Sequence, residues 1–323
     1  MCTAVSYKTN CHYFGRNLDL EYRYRETVTI TPRNYPFSFS AGTRNDHHYA
    51  MIGMASVIDG YPLYYEATNE HGLSVAGLNF PGNAKYLDPK EGYVNVAPYE
   101  FVPWILGQYK TVSQVRERLS EINLVNIPFS AELPPSPLHW MISDRNESIV
   151  AEPTDNGIKV YENPIGVLTN NPPFDFQLYN LSNYLNLTHD EPVNRFANGL
   201  QIEPYSRGMG AIGLPGDLSS ASRFIRAAFT KCNSVSEDSE ECSVGQFFHI
   251  LDAVTQQNGC VKVEGGFVKT IYSCCCNTDK CIYYYTTYEN RQITAINLFH
   301  TDLNANTPTT FALINEQQIR YEN

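Results

Sequence analysis

Thr3-Ala4-Val5-Ser6-Tyr7-Lys8, a turn at Thr9-Asn10, His12-Tyr13-Phe14-Gly15 and then Thr27-Val28-Thr29-Ile30-Thr31, stopped by Pro32, open the chain as a meander of strands. β-Branched and aromatic residues recur there, and turn formers punctuate the runs. Tyr49–Ile58 and Gly72–Leu78 repeat the pattern and are apolar enough to be buried sheet. Helical signals follow. Thr111-Val112-Ser113-Gln114 is a capping-box pattern opening Val112–Glu121, and Tyr99–Gln108 carries an apolar stripe just before it. Leu138–Ala151 alternates around a turn at Asp144-Arg145-Asn146, with further strands at Gly157–Tyr161 and Gly166–Thr169. Phe174–Leu185, Ser222–Cys232 and Gln246–Gln256 read as amphipathic helices. Sheet returns at Val268–Cys276, Cys281–Tyr288 and Gln292–Leu298, separated by turns at Asn277–Lys280 and Glu289-Asn290. Strands joined by hairpin turns, with helices grouped between them, predict an α+β fold on antiparallel sheets.

The 323 residues, 42% apolar and 18% charged, are enough for one large core and exclude a disordered chain. No internal repeat divides them. The Pro-rich piece Leu133-Pro134-Pro135-Ser136-Pro137 reads as a surface loop, because His139-Trp140-Met141-Ile142 resumes a strand at once, so residues 1–323 are read as a single domain. Net charge is −11 and no stretch gathers basic residues, so nucleic acid and anionic membranes are poor partners. No apolar window is long enough to span a membrane, and the first residues carry no apolar signal region. Nine cysteines, an odd number clustered late, fit a disulfide framework poorly and predict a reducing cytoplasm. In that compartment the sequons at Asn146, Asn180 and Asn186 carry no meaning.

Phosphate-binding and HExxH metal signatures are missing, and no cofactor or metal is expected. Cys274-Cys275-Cys276 with Cys281 contains thiolate ligands for zinc, yet holds no CxxC pair; in a strand Cys275 points away from its neighbours, so the three read as small buried hydrophobes. No cysteine has a papain-like signature, and His12, His71, His139 and His249 read as hydrogen-bonded structural residues. Cys2 differs. An aminopeptidase normally removes the initiator Met before a small residue, which leaves Cys2 with a thiol and a free α-amine, of ordinary pKa about 8.5 and about 7.7–8.0. One residue then supplies both nucleophile and base.

Met1-Cys2-Thr3 followed by Phe14-Gly15-Arg16-Asn17-Leu18-Asp19 resembles the start of the choloylglycine hydrolases, the N-terminal-nucleophile family that contains bile salt hydrolases and penicillin V acylases. The resemblance runs collinearly through Asn69-Glu70-His71-Gly72-Leu73, Gly77-Leu78-Asn79-Phe80-Pro81, Leu138–Asp144, Gly166-Val167-Leu168-Thr169-Asn170, Gly213–Asp217, Ser222-Arg223-Phe224 and Tyr283–Asn290. It implies a four-layer αββα sandwich, two antiparallel sheets between helical layers, with Cys2 at the end of the first strand. It also implies roles. Arg16 would favour the thiolate, Asp19 would bind the α-amine, the Asn170 side chain and the Asn79 backbone N–H would hold the oxyanion, and Arg223 would organise the polar network.

The same resemblance places an acyl pocket on loops at Leu20–Tyr24, Ile58–Tyr65 and Phe129–Leu133, lined by Leu20, Tyr22, Tyr24, Ile58, Tyr65, Phe129 and Leu133; tyrosine faces suit a hydroxylated steroid. It implies hydrolysis of glycine- or taurine-conjugated bile salts and a homotetramer. A penicillin V acylase acting on a phenoxyacetyl amide, and a silent binding protein on the same scaffold, are the alternatives; Asn79 leans toward the bile-salt branch. Tyr205-Ser206-Arg207-Gly208 falls where the family's selectivity loop lies, and Arg207 could take a glycine conjugate's carboxylate bidentately.

Overall fold

The computed structural model describes residues 1–42 and 44–323. In chain order the strands are β1 (Cys2–Lys8), β2 (His12–Leu20), β3 (Thr27–Thr31), β4 (Phe37–Ser38), β5 (Arg44–Asn45), β6 (Met51–Ile58), β7 (Tyr61–Asn69), β8 (Ser74–Asn79) and β9 (Val94–Val96). Helices α1 (Phe101–Gln108) and α2 (Val112–Arg118) come next, then β10 (Ile122–Leu124), β11 (Leu138–Ser143), β12 (Ser148–Thr154), β13 (Gly157–Glu162) and β14 (Val167–Leu168). Helices α3 (Phe174–Asn180), α4 (Ser220–Asn233) and α5 (Glu240–Asp252) precede β15 (Val261–Val263), β16 (Gly266–Asn277), β17 (Ile282–Thr287), β18 (Thr294–Asn297) and β19 (Thr309–Ala312).

Two antiparallel sheets hold nearly all of the strands. The first runs β14-β1-β2-β16-β17-β18 with β15 added to β16, and the second runs β13-β12-β11-β8-β7-β6-β3-β19. Period-two alternation gives each sheet two apolar faces, which is why both must be covered twice. Ala4 and Tyr272 from the first sheet share one buried core with Ile30, Ile52, Ala76, Leu78 and Met141 from the second, so the sheets stack face to face. Phe224, Ala227, Phe247 and Leu251 of α4 and α5 join that core from the outer side of the first sheet. On the outer side of the second sheet Phe101, Ile105 and Leu106 of α1 and Val115 of α2 pack on Tyr64, Val75, Trp140 and Ile142 in a separate core. The layers are helix, sheet, sheet, helix, as expected.

Three expectations need correction. Ile58–Tyr65 is no loop: Asp59 and Gly60, at φ 51° and 80°, form a tight two-residue turn between β6 and β7. The helix expected over Gln246–Gln256 starts six residues earlier, at Glu240, where the Ser239 hydroxyl accepts the Cys242 N–H at 3.1 Å and two glutamates occupy the positive first turn. The Phe174–Leu185 helix is α-helical only to Asn180 and tightens to a 3₁₀ turn over Leu181–Tyr184.

Two β-bulges interrupt the ladders, one in each large sheet. Across β6 and β7, Met54 pairs with Glu66 and Ala55 with Tyr64, so Tyr65 has no partner. Across β2 and β16, Asp19 pairs with Thr270 and Leu18 with Tyr272, so Ile271 is skipped.

Candidate active site

Register decides which side chains can meet at Cys2. Cys2 lies opposite Leu18 and Ala4 opposite Arg16, so Cys2 and Arg16 are diagonal neighbours on the face that looks toward the second sheet. Asn17 and Asp19 alternate onto the other face, under α4 and α5. The Asn17 amide donates to the Leu251 carbonyl of α5 at 3.0 Å. Cys2 is therefore served from two sides: a cation beside the thiol, and a carboxylate beside the end of the backbone.

Arg16 is almost completely buried. Its Nη1 donates to the carbonyls of Tyr65 at 3.2 Å and Gly77 at 2.5 Å, Nε donates to the Asn17 carbonyl at 3.4 Å and lies 3.8 Å from the Glu66 carboxylate, and Nη2 is left without an acceptor. Burial alone would push the guanidinium toward losing its proton; Cys2, Tyr272, Glu66 and Cys274 around it push the other way by more, so it stays a cation. Asp19, fully buried, accepts from the Thr270 hydroxyl on Oδ1 at 2.6 Å. Its Oδ2 has no hydrogen-bond donor. Burial raises the Asp19 carboxyl above its usual range, and Arg223, the N-terminal ammonium, Thr270 and Arg16 offset only part of that.

Arg223 enters from the first turn of α4, a helix capped by the Ser219 hydroxyl. Its Nη1 donates to the Cys2 carbonyl and the Thr3 hydroxyl, both at 2.6 Å, and its Nη2 to Asn170 Oδ1 at 2.8 Å. Burial pulls its pKa down, with Asp19, 3.9 Å away, and Cys2 opposing. Asn170 is the hub. Its Oδ1 also accepts the Cys2 backbone N–H at 2.8 Å, its Nδ2 donates to the Asn79 carbonyl at 2.7 Å, and its own N–H is fixed by the Ser220 hydroxyl at 2.8 Å. Met1 caps the group by pairing with the Asp19 backbone: its ammonium donates to the Asp19 carbonyl at 2.6 Å and its carbonyl accepts the Asp19 N–H at 2.9 Å.

The five polar residues singled out from sequence beside Cys2, namely Arg16, Asp19, Asn79, Asn170 and Arg223, thus cluster around it. The wall residues gather less completely. Tyr22 and Tyr24 touch edge to face with their hydroxyls 2.7 Å apart, and Ser56 ties the Tyr24 carbonyl to the Tyr65 hydroxyl. Leu20 ends β2 opposite Lys269, and Ile58 pairs with Tyr61. Phe129 packs instead on Tyr61 and Tyr99, and its N–H bonds to the Leu133 carbonyl at 3.1 Å. Arg207 is exposed just before Gly208, at φ 79°. Two open cavities of about 600 and 990 Å³ lie elsewhere and are lined by none of these residues.

Cys274, Cys275 and Cys276 are buried, as read from sequence, but Cys274 has a polar partner: its thiol donates to Glu66 Oε1 at 3.5 Å. Burial pushes the Cys274 thiol well above its usual range. His12 and His139 are hydrogen-bonded inside the sandwich, to Ser6 and Thr278 and to Glu152 and the Thr169 carbonyl. Sequence reading missed Glu66, Thr270, Tyr272 and Tyr283; a carboxylate inside the apolar run Leu63-Tyr64-Tyr65-Glu66-Ala67 was the available signal.

The family profile described as linear amide C–N hydrolases, choloylglycine hydrolase family, matches residues 2–311. A bile salt hydrolase/transferase of Lactiplantibacillus plantarum is 52% identical over 319 residues, covering 98% of each chain. The crystal structure of the C2A mutant of conjugated bile acid hydrolase from Clostridium perfringens superposes with a TM-score of 0.93 at 38% identity, covering 100% of both chains. Penicillin V acylase from Agrobacterium tumefaciens, at 16% identity and a TM-score of 0.77 over 97% of this chain and 91% of that one, shares the fold.

Proposed function

The chain belongs to the choloylglycine hydrolase family of linear amide C–N hydrolases, and on that premise we propose that it hydrolyses the amide bond of glycine- or taurine-conjugated bile salts with Cys2 as nucleophile. One observation carries the reading: Asn170 Oδ1 accepts the Cys2 backbone N–H under Arg223, and the buried Asp19 Oδ2, 3.9 Å from the same guanidinium, has no hydrogen-bond donor. That is a site for an ammonium. Removing Met1 turns the Cys2 nitrogen from an amide into an amine and frees the Asp19 N–H and carbonyl that Met1 holds.

In this scheme the amine takes the proton of the Cys2 thiol, and the thiolate, facing the Arg16 cation, attacks the substrate carbonyl carbon. The tetrahedral oxyanion is held by the second N–H of the Asn170 amide and by the Asn79 backbone N–H. The amine returns the proton to the leaving nitrogen, the C–N bond breaks and the amino acid departs. Water then adds to the thioester, the amine accepting its proton, and the free bile acid leaves as the thiolate is restored. Leu20, Tyr22, Tyr24, Ile58, Tyr65, Phe129 and Leu133 supply the steroid wall, and Arg207 the contact to a glycine conjugate's carboxylate.

Assays of glycocholate and taurocholate hydrolysis, paired with intact-mass analysis of the N-terminus, test the scheme. Chain beginning at Cys2 turns over and Cys2→Ala does not; full turnover by chain that retains Met1 refutes the amine mechanism. Self-association as a tetramer is supported by the exposed apolar arm with Leu185, Val193, Phe196 and Tyr205, from 75% to 86% exposed. Light scattering measures the mass. Residence in a reducing cytoplasm fits nine unpaired cysteines, and no helix among the described residues is long and apolar enough to cross a membrane.

A further inference from the structure

Behind Arg16, on the side away from Cys2, lies a buried acidic group that the scheme above does not use. Glu66 is 2% exposed. The Tyr272 hydroxyl donates to its Oε2 and the Tyr283 hydroxyl to its Oε1, both at 2.7 Å, the Cys274 thiol donates to Oε1 at 3.5 Å, and the Arg16 Nε stands 3.8 Å from Oε2. The two hydroxyls and the thiol each offer a proton, and the arginine, whose Nε–H goes to the Asn17 carbonyl at 3.4 Å, offers a positive charge, so the cluster is built around a carboxylate. The other titratable groups that bear on it are Tyr65, beside it on β7, and Cys276 of β16. Burial works against the charge and raises the Glu66 carboxyl; Arg16, the two tyrosines and Cys274 oppose that.

The guanidinium is consequently held on two edges. Glu66 faces Nε as a counter-charge while the Nε–H goes to the Asn17 carbonyl, the Tyr65 and Gly77 carbonyls hold Nη1, and Nη2 alone remains without an acceptor. The two-against-one pairing at the β6–β7 bulge puts Tyr65 and Glu66 on the same face, so one short segment supplies both a carbonyl and a carboxylate to the same arginine.

We propose that Glu66 is a positioning residue for the Cys2 reaction: it fixes the Arg16 guanidinium with Nη2 left free for the site, and its charge sets how much of the arginine's field reaches the nucleophile. The proposal rests on Cys2 being the nucleophile. Glu66→Gln keeps the shape and the Tyr283 bond, removes the counter-charge and puts an NH2 group where Tyr272 and Arg16 Nε faced an oxygen.

The experiment is a pH profile of kcat and kcat/KM for glycocholate, measured on chain beginning at Cys2, for wild type, Glu66→Gln and Glu66→Asp. Glu66→Gln lowers kcat roughly tenfold with KM nearly unchanged, because a loosened guanidinium misplaces the charge. It also moves the acidic limb of kcat/KM down by about one pH unit, because the arginine is no longer neutralised from behind. Glu66→Asp returns the limb toward its wild-type position. If Glu66→Gln does not fold, Tyr283→Phe removes one donor from the carboxylate and lowers kcat a few-fold with KM unchanged. An acidic limb that stays in place in Glu66→Gln, or in its absence a Tyr283→Phe enzyme with wild-type kcat, overturns the proposal. Activity retained by Cys2→Ala would instead overturn the nucleophile assignment, which separates the two failures.

Discussion

Replacing Arg223 by Met removes a cation from the interior and leaves the anion it faces. The side chain is fully buried and donates to the Leu218, Cys2, Thr3 and Asn170 oxygens, with Asp19 Oδ2 at 3.9 Å. Two of those acceptors keep another donor: Asn170 Oδ1 still receives the Cys2 N–H, and the Leu218 carbonyl still receives the Gln256 amide at 3.3 Å. The dominant loss is thus at Asp19, whose remaining side-chain partner is the Thr270 hydroxyl. Breaking a buried pair by deleting one partner costs about 3–5 kcal/mol. Against a total stability of roughly 5–15 kcal/mol the variant folds but is visibly weakened. Urea unfolding followed by circular dichroism, on protein with one defined N-terminus, should show a midpoint lower by roughly 1–2 M.

The direction with pH follows from Asp19. Its folded carboxyl binds a proton more tightly than the unfolded one, so the fold is strengthened as pH falls through the raised folded value and weakened as pH rises through it. Without Arg223 that effect grows, and the penalty is larger at pH 8 than at pH 5. Adding Asp19→Asn removes the orphaned charge, so the double variant should recover more than about 1 kcal/mol over Arg223→Met alone. A loss below about 1 kcal/mol for Arg223→Met, or strictly additive effects in the double variant, would refute the reasoning.

Gly15→Ala should yield no soluble folded protein, because a Cβ there would stand 1.9 Å from the Cys274 carbonyl oxygen, backbone against backbone, whereas Gly216→Ala meets open space and should change stability by less than about 0.5 kcal/mol. Expression yield and the unfolding midpoint read both. Burial lowers the pKa of His12 to about 4, with Asp279 and Asp144 opposing, so its contribution is present above the unfolded value near 6.5 and lost as pH falls toward 4. Between pH 7 and pH 4.5 wild type should lose about 2–3 kcal/mol more than His12→Asn in chemical unfolding, and equal losses would show that burial does not lower the histidine's pKa.

Where neighbouring residues decide a feature, the sequence was readable. The β1–β2 opening, the Leu138–Thr154 hairpin and the β16–β17–β18 run declare themselves through alternation and turn residues. β7 escaped because Pro62 and Glu66 interrupt an apolar run, even though Asp59-Gly60 is a strong hairpin signal. β19 escaped because it is a four-residue edge strand. The stacking of the sheets came from family resemblance, as did the five polar residues around Cys2. What neither pattern nor resemblance supplied was the ring around Glu66, whose partners Tyr272 and Tyr283 lie 206 and 217 positions along the chain. Only the folded sandwich brings those three together.

The unpaired Tyr65 also constrains how the chain can change in length. Strand residues outside and inside the bulge are out of phase by one position: Tyr64 and Ala67 face the helical layer while Glu66, between them, faces the opposite sheet. Deleting Tyr65 would restore a regular ladder and look like a repair. Every other residue would keep its face, because Tyr64 and Glu66 already point opposite ways, and what would go is the Tyr65 carbonyl that holds Arg16 Nη1 and the hydroxyl that Ser56 bonds. A one-residue gap at this point would therefore leave the ladder regular while taking away one of the two carbonyls that anchor the arginine, whereas a gap anywhere else in β7 would exchange the faces of the strand beyond it.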